Sequence, residues 1–164
     1  MITLQPITED IVEDVLELTA SENFVAPNSI SLAEAYCGLK EALDDGGLYQ
    51  KHYYAIPYAI VSDQTIVGFL MVGLEDGEDV DAGCDIYWLS RFMIDEAHQK
   101  KGYGKSAMLK LIEYLKTSPH GKAVKYFYTS VVPDNCGAAK LYESVGFAKT
   151  GDDFYGEDLM KLNF

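Results

Sequence analysis

The sequence predicts one α/β (α+β) domain, and three observations carry that reading. Runs dense in β-branched and aromatic residues, such as Tyr58–Ser62, Thr65–Leu74 and Lys125–Val132, are interspersed with helix-period stretches such as Met108, Leu111, Ile112 and Leu115. The elements follow in the order β, α, α, β, β, β, α, β, α, β, β, with no internal repeat or low-complexity tract. The 164 residues, 48% hydrophobic and 24% charged, suffice for one substantial core, so a single domain over 1–164 is expected.

Taken in order, Ile2–Leu4 forms a short first strand ended by Pro6. Thr8 can cap a helix whose first turn carries Glu9 and Asp10 and whose Ile11, Val15 and Leu18 share a face. A loop follows, broken at Pro27 and Asn28. Ser31-Leu32-Ala33-Glu34 has the capping-box form and opens a helix with Leu32, Ala35, Tyr36, Leu39 and Leu43 inward. Asp44-Asp45-Gly46-Gly47 stops it. The next two strands flank a tight turn at Asp63-Gln64, and Pro57 predicts that the first of them starts late or bulges. Glu75–Asp85 holds six carboxylates and no Lys or Arg, a solvated loop whose spacing does not fit a calcium-binding EF-hand.

Ile86–Leu115 is a strand, a basic glycine loop and an amphipathic helix in succession. Ser118-Pro119-His120-Gly121 breaks that helix, and Lys125–Val132 reads as a central strand. Pro133-Asp134-Asn135 ends the strand and offers caps for a helix with Ala138, Leu141, Tyr142 and Val145 on one side, closed by Gly146. Phe147–Gly151 and Asp158–Leu162 complete the chain as two short strands around Asp152–Gly156.

The net charge of −13 repels nucleic acid and anionic membranes, so neither is an expected partner, while a cationic small molecule would be attracted. No apolar run approaches the ~20 residues that span a bilayer, and the acidic start MITLQPITEDIVEDV lacks a signal pattern, which favours the cytoplasm. Cys37, Cys84 and Cys136 show neither metal-ligand nor disulfide spacing and read as buried small apolar residues; no metal is expected.

The chemistry concentrates at Gln99-Lys100-Lys101-Gly102-Tyr103-Gly104. A strand, a glycine loop and a helix N-terminus in that order make an anion site, because backbone N–H groups point outward and the helix dipole favours negative charge. Gly102 and Gly104 let the backbone approach a pyrophosphate, and Lys100, Lys101 and Lys105 supply cations in a chain with only 13 Lys and Arg. Gly102-x-Gly104-x-x-Ala107 also fits a relaxed dinucleotide fingerprint. That fingerprint should follow the first strand and be followed, about 20 residues on, by an acid for the ribose. Several strands come first here, and no Asp or Glu lies between Tyr114 and Val132.

The Gln99-x-x-Gly102-x-Gly104 loop after Arg91-Phe92-Met93-Ile94-Asp95 resembles motif A of the GNAT superfamily of acetyl-CoA-dependent N-acetyltransferases. Further on, the run from Asn135 to Phe147 is similar to that family's N-x-x-A-x-x-L-Y-x-x-x-G-F motif. The WLSRFMIDEAHQKKGYG run and the GEDLMKL tail look like the bacterial spermine/spermidine acetyltransferase branch. The resemblance implies a mixed, mostly antiparallel sheet of six or seven strands, splayed in the middle, with helices on both faces. It implies acetyl-CoA as co-substrate, with Phe92 at the coenzyme, the pantetheine arm pairing with the backbone of Met93 and Ile94, the pyrophosphate on residues 99–105, and Asn135 reaching toward the arm. The Ile94 N–H would polarise the thioester carbonyl. Tyr142, which by position alone reads as core packing, would protonate the leaving thiolate. Direct attack by the amine requires no covalent intermediate, so Cys136 is not the expected nucleophile.

The family often carries a carboxylate on its fourth strand to relay the amine's proton, and Ser90 stands at that position here. The base is therefore open between Asp85, the acidic loop after Leu74 and a water relay anchored on Ser90. The acceptor implied is a small-molecule primary amine, a polyamine such as spermidine or spermine. Acidic groups in Glu41–Asp45 or Glu75–Asp85, a loop near Phe24, and Tyr36, Tyr49, Tyr53 and Tyr54 are candidates to hold it. An antibiotic, amino acid or peptide N-terminus as acceptor stays open, as does a non-catalytic CoA-binding sensor. Family analogy implies a homodimer, for which the sequence shows no interface signature.

Overall fold

The computed structural model describes residues 1–8, 10–19, 54–119, 121 and 123–164. Among them are the strands β1 (Ile2–Pro6), β2 (Tyr54–Ser62), β3 (Thr65–Glu75), β4 (Ile86–Ile94), β5 (Tyr126–Val131), β6 (Ala148–Phe154) and β7 (Glu157–Asn163). The α-helices are α1 (Val12–Leu16), α2 (Tyr103–Lys116) and α3 (Cys136–Glu143). The helix expected over 31–43, Cys37, and the acceptor candidates Phe24, Tyr36, Glu41–Asp45, Tyr49 and Tyr53 lie outside the described residues.

All seven strands form one sheet in the order β1-β2-β3-β4-β5-β7-β6. Every neighbouring pair is antiparallel except β4 with β5. The mixed, mostly antiparallel sheet is as expected, and its one parallel pair is where it opens. β4 and β5 share only the positions Tyr87↔Phe127, Trp88↔Tyr128 and Leu89↔Thr129. Beyond them β4 stays with β3 as far as Gly68↔Ile94, while β5 stays with β7 as far as Val131↔Asp158. A V-shaped gap results. At its apex the buried Thr129 hydroxyl donates to the Leu89 carbonyl (3.1 Å), covering an acceptor that strand separation would otherwise orphan.

Helices cover both faces. Ala107, Met108, Leu111, Ile112 and Leu115 of α2 pack, with Tyr142 of α3, against Tyr87, Leu89 and Phe127. Each such large side chain contributes about 1.5–3 kcal/mol on full burial. On the opposite face Val15 of α1 meets Ala59, Phe69 and Met93. One irregularity decides which face β4 presents to the gap. Its pairing steps from Val72↔Leu89 to Met71↔Arg91, so Ser90 is an extra, bulged residue. The bulge reverses the alternation, placing Phe92 and Ile94 on the same face as Tyr87 and Leu89.

Several expectations need correction. Thr8 starts α1 through its carbonyl, which accepts from the N–H groups of Ile11 (3.2 Å) and Val12 (3.1 Å), and no side chain caps that helix. Pro57 neither delays β2 nor bulges it. Its carbonyl accepts from Ile7 (3.2 Å), so its missing N–H faces the side where the β1 ladder has already ended at Pro6↔Tyr58, and the bulge falls at Ile60/Val61. The last hairpin is tighter than Asp152–Gly156 suggested: Tyr155 (φ 53°) and Gly156 (φ 89°) alone turn it. Cys84 and Cys136 are exposed rather than buried, one on the acidic loop and one in the first turn of α3. The predicted close of α3 holds. With Gly146 at φ 107°, the Phe147 N–H reaches the Tyr142 carbonyl (3.1 Å) and the Gly146 N–H reaches that of Glu143 (3.1 Å), a Schellman arrangement.

Candidate active site

The loop after β4 is held by Asp95. Its buried carboxylate accepts from the Ala97 N–H (3.1 Å), the Thr19 N–H (3.0 Å) and the Thr19 hydroxyl (3.1 Å), and lies 2.9 Å from His98 Nδ1. Burial opposes ionisation, but the bonds from Thr19, His98 and Ala97 together outweigh it and hold this carboxyl below its usual range. The Gln99 amide folds back to donate to the Ile94 carbonyl (3.1 Å), and the Lys101 ammonium donates to the Ala97 carbonyl (2.9 Å). Lys100 (φ 59°) and Gly102 (φ 80°) take the left-handed backbone that turns the chain into α2. No side chain caps that helix, so its first-turn N–H groups face outward.

A cleft of about 680 Å³ lies in front of this loop. Phe92, Met93 and Ile94 form its β4 wall, and Gln99, Lys100, Gly102, Tyr103, Gly104 and Lys105 its helix-start wall. Asn135, Cys136, Gly137, Ala138 and Leu141 of the α3 start close the third side. The structure thus brings together every predicted donor-side residue except Lys101, which braces the loop, and Tyr142, which lies beyond the cleft. The two glycines act differently. A Cβ on Gly102 would meet nothing within 4 Å, whereas one on Gly104 would sit among Leu141 (3.4 Å), Ile94 (3.6 Å) and Phe92 (3.6 Å), on the cleft floor.

A second cleft, of about 450 Å³, opens on the other side of the split. It shares Phe92, Asn135 and Ala138 with the first, so these residues stand where the two meet. Trp88, Ser90 and Arg91 line it from β4, Thr129 and Ser130 from β5, and Tyr142 from α3, with Phe154, Tyr155 and Glu157 completing it from the last hairpin. Tyr142 is 6% exposed, edge-on to Phe92 (6.5 Å between centroids) and against Phe147 (5.7 Å). Burial pushes its phenol up to about 12; a hydrogen bond with Thr129 works the other way, and the Glu157 charge adds to the rise. Its packing and its place in the cleft coexist. Asn135 likewise caps α3, accepting from the Ala138 N–H (3.0 Å), while lining both clefts.

The proposed bases fare differently. Ser90 lines the second cleft, its hydroxyl donating to the Met71 carbonyl (3.3 Å). Asp85 lines a separate depression with Cys84, Ala123 and Lys125, and no residue of Glu75–Asp85 lines the second cleft. Sequence reasoning missed Trp88, Phe154, Tyr155 and Glu157. The signals were the WLSRFMIDEAHQKKGYG run, which opens on Trp88, and the GEDLMKL tail, whose first acid gains meaning once the tight hairpin turn is known.

Residues 14–147 match the Acetyltransferase (GNAT) family. The chain belongs to that family. This GNAT chain is 34% identical to the spermine/spermidine N(1)-acetyltransferase of Bacillus subtilis (strain 168) over 160 residues, spanning 97% of this chain and 96% of the relative. It shares its fold with the aminoglycoside acetyltransferase AAC(6')-Ib in complex with coenzyme A (TM-score 0.72, 21% identity, 99% of this chain and 95% of that one). The same holds for the Vibrio cholerae spermidine N-acetyltransferase in complex with CoA and spermine (TM-score 0.61, 15% identity, 99% and 95% covered). It is an acetyl-CoA-dependent N-acetyltransferase. Among the described residues no helix is long and apolar enough to cross a membrane, and no group of His, Cys, Asp or Glu is arranged to hold a metal.

Proposed function

We propose that this acetyltransferase moves the acetyl group of acetyl-CoA to a primary amine of a polyamine, spermidine or spermine, by direct attack in a ternary complex. The observation that carries this reading is the meeting of two clefts at Phe92, Asn135 and Ala138, with Tyr142 beside the junction. One cleft takes the donor and the other the amine.

The donor cleft fits the coenzyme by its own chemistry. An uncapped helix start with Gly104 flush on the floor suits a pyrophosphate, and Lys100 and Lys105 add positive charge to a chain of net charge −13. Gln99 and Lys101 keep the loop in shape through Ile94 and Ala97. The backbone groups of Phe92 and Ile94, on the side of β4 that β5 does not reach, would pair with the extended pantetheine arm, whereas the Met93 carbonyl faces Gly68 of β3; Asn135 would face the arm from the start of α3. The coenzyme supplies an acetyl group activated as a thioester. Tyr142, protonated throughout the neutral range, can then donate its proton to the departing sulfur.

A polyamine is favoured by the name of the 34%-identical relative and by an acceptor cleft with an aromatic wall. The overall negative charge draws such polycations in. Thiol release from acetyl-CoA should be followed with spermidine, spermine, an aminoglycoside and a peptide N-terminus. The expected result is a kcat/KM for a polyamine at least about tenfold above the others. Tight acetyl-CoA binding without thiol release on any of them would replace this reading with a sensor.

A further inference from the structure

Ser90 leaves the reaction without a carboxylate on β4, yet the acceptor cleft contains one from another strand. We propose that Glu157, at the start of β7, receives the acceptor's ammonium group and takes its proton, with Trp88, Phe154 and Tyr155 as the aromatic wall of the same site. This rests on the acetyl-transfer reading above and deepens it by naming the proton acceptor.

Three observations support it. Glu157 is the only Asp or Glu lining this cleft among the described residues; the other ionisable groups there are Arg91 from β4, Tyr142 from α3 and Tyr155 from the hairpin turn. The Arg91 guanidinium donates to the Ser90 carbonyl (2.7 Å). Secondly, Glu157 is oriented: the Ser130 hydroxyl donates to its Oε2 (2.5 Å) across the β5–β7 pair, leaving Oε1 available to a ligand. Thirdly, its charge acts on the Tyr142 phenol, so the group that would accept the amine's proton stands near the group that would protonate the sulfur. The aromatic wall suits a cation. Trp88 and Phe154 lie 4.7 Å apart between centroids, and Phe154 meets Tyr155 edge-on at 4.9 Å.

The protons balance. The acceptor enters as an ammonium and gives one proton to Glu157. The freed lone pair forms the C–N bond to the thioester carbon, the C–S bond breaks, and the sulfur's electron pair takes the Tyr142 proton. The second proton shed by nitrogen restores the phenol, and Glu157 releases its own to solvent, so one proton leaves per amide formed.

The test compares wild type, Glu157→Gln and Asp85→Asn in spermidine kcat/KM from pH 6.5 to 9.5, with acetyl-CoA affinity measured by calorimetry. Wild type that transfers acetyl to no amine defeats the reading beneath. Given transfer, Glu157→Gln should lose about 100-fold or more near pH 7, within the range of general-base effects. The deficit should shrink to within about threefold at pH 9.5, where more of the amine arrives neutral, with acetyl-CoA affinity and Asp85→Asn unchanged. A Glu157→Gln variant equal to wild type at pH 7, or a deficit constant across pH, would overturn the assignment. If Glu157→Gln does not fold, Ser130→Ala carries the same test, with a smaller loss of the same pH trend supporting the proposal and a pH-independent loss or none refuting it.

Discussion

Replacing Tyr142 by phenylalanine lowers kcat about 100-fold and leaves acetyl-CoA affinity within about twofold. The substitution keeps the ring that packs against Phe92 and Phe147 and removes only the hydroxyl. The fold should lose only about 1 kcal/mol, the typical worth of one hydrogen bond, here the one with Thr129. The loss in rate is larger because the phenol, protonated at neutral pH, is the proton source for the departing sulfur, and general acids contribute about 10²–10⁴ in rate. The sign matters. A phenol shifted upward cannot serve as the amine's base in the neutral range, so Tyr142 is confined to the acid role. Steady-state rates beside a thermal melt check this; an unchanged kcat in folded protein removes Tyr142 from the reaction.

Gly104→Val weakens acetyl-CoA binding about 100-fold without unfolding the protein. Gly104 has an ordinary helical backbone, so a side chain there improves helix propensity by a few tenths of a kcal/mol. Its Cβ would rest against Leu141, Ile94 and Phe92, all of which line the donor cleft, and the valine methyls would then project into the space the coenzyme needs. A 100-fold loss corresponds to about 2.7 kcal/mol. Gly104→Ala should fall between. Calorimetric titration with acetyl-CoA, alongside a melting curve, separates this from Gly102→Ala, which meets open space and strains only a left-handed backbone. Equal affinity for Gly104→Val and wild type would move the coenzyme out of this cleft.

Local chemistry was legible in the sequence and register was not. The glycine loop, the buried stripe of α2 and the Asn135–Gly146 helix with its terminator were each encoded within a few residues, and the structure shows them as read. Ser90 was singled out by its position, but that it bulges is a property of two strands, with Met71 and Val72 on the other side. The clamp on the donor loop joins Thr19 to Asp95, 76 residues apart, and no periodicity points from one to the other. Glu157 was missed for the same reason. Its place depends on a turn of two residues rather than five and on the β5 partner that holds it, Ser130, 27 residues away. Asp85 was attractive by charge alone, and it sits just before β4 begins, in a different depression.

The central claim is that acetyl passes directly between two clefts that meet beside Tyr142, with both substrates bound at once. Initial rates over a grid of acetyl-CoA and spermidine concentrations test it most directly. Direct transfer gives double-reciprocal lines that intersect to the left of the axis. Parallel lines, together with an acetylated protein isolated before amine is added, would contradict it and turn attention to Cys136, the exposed thiol on the donor cleft.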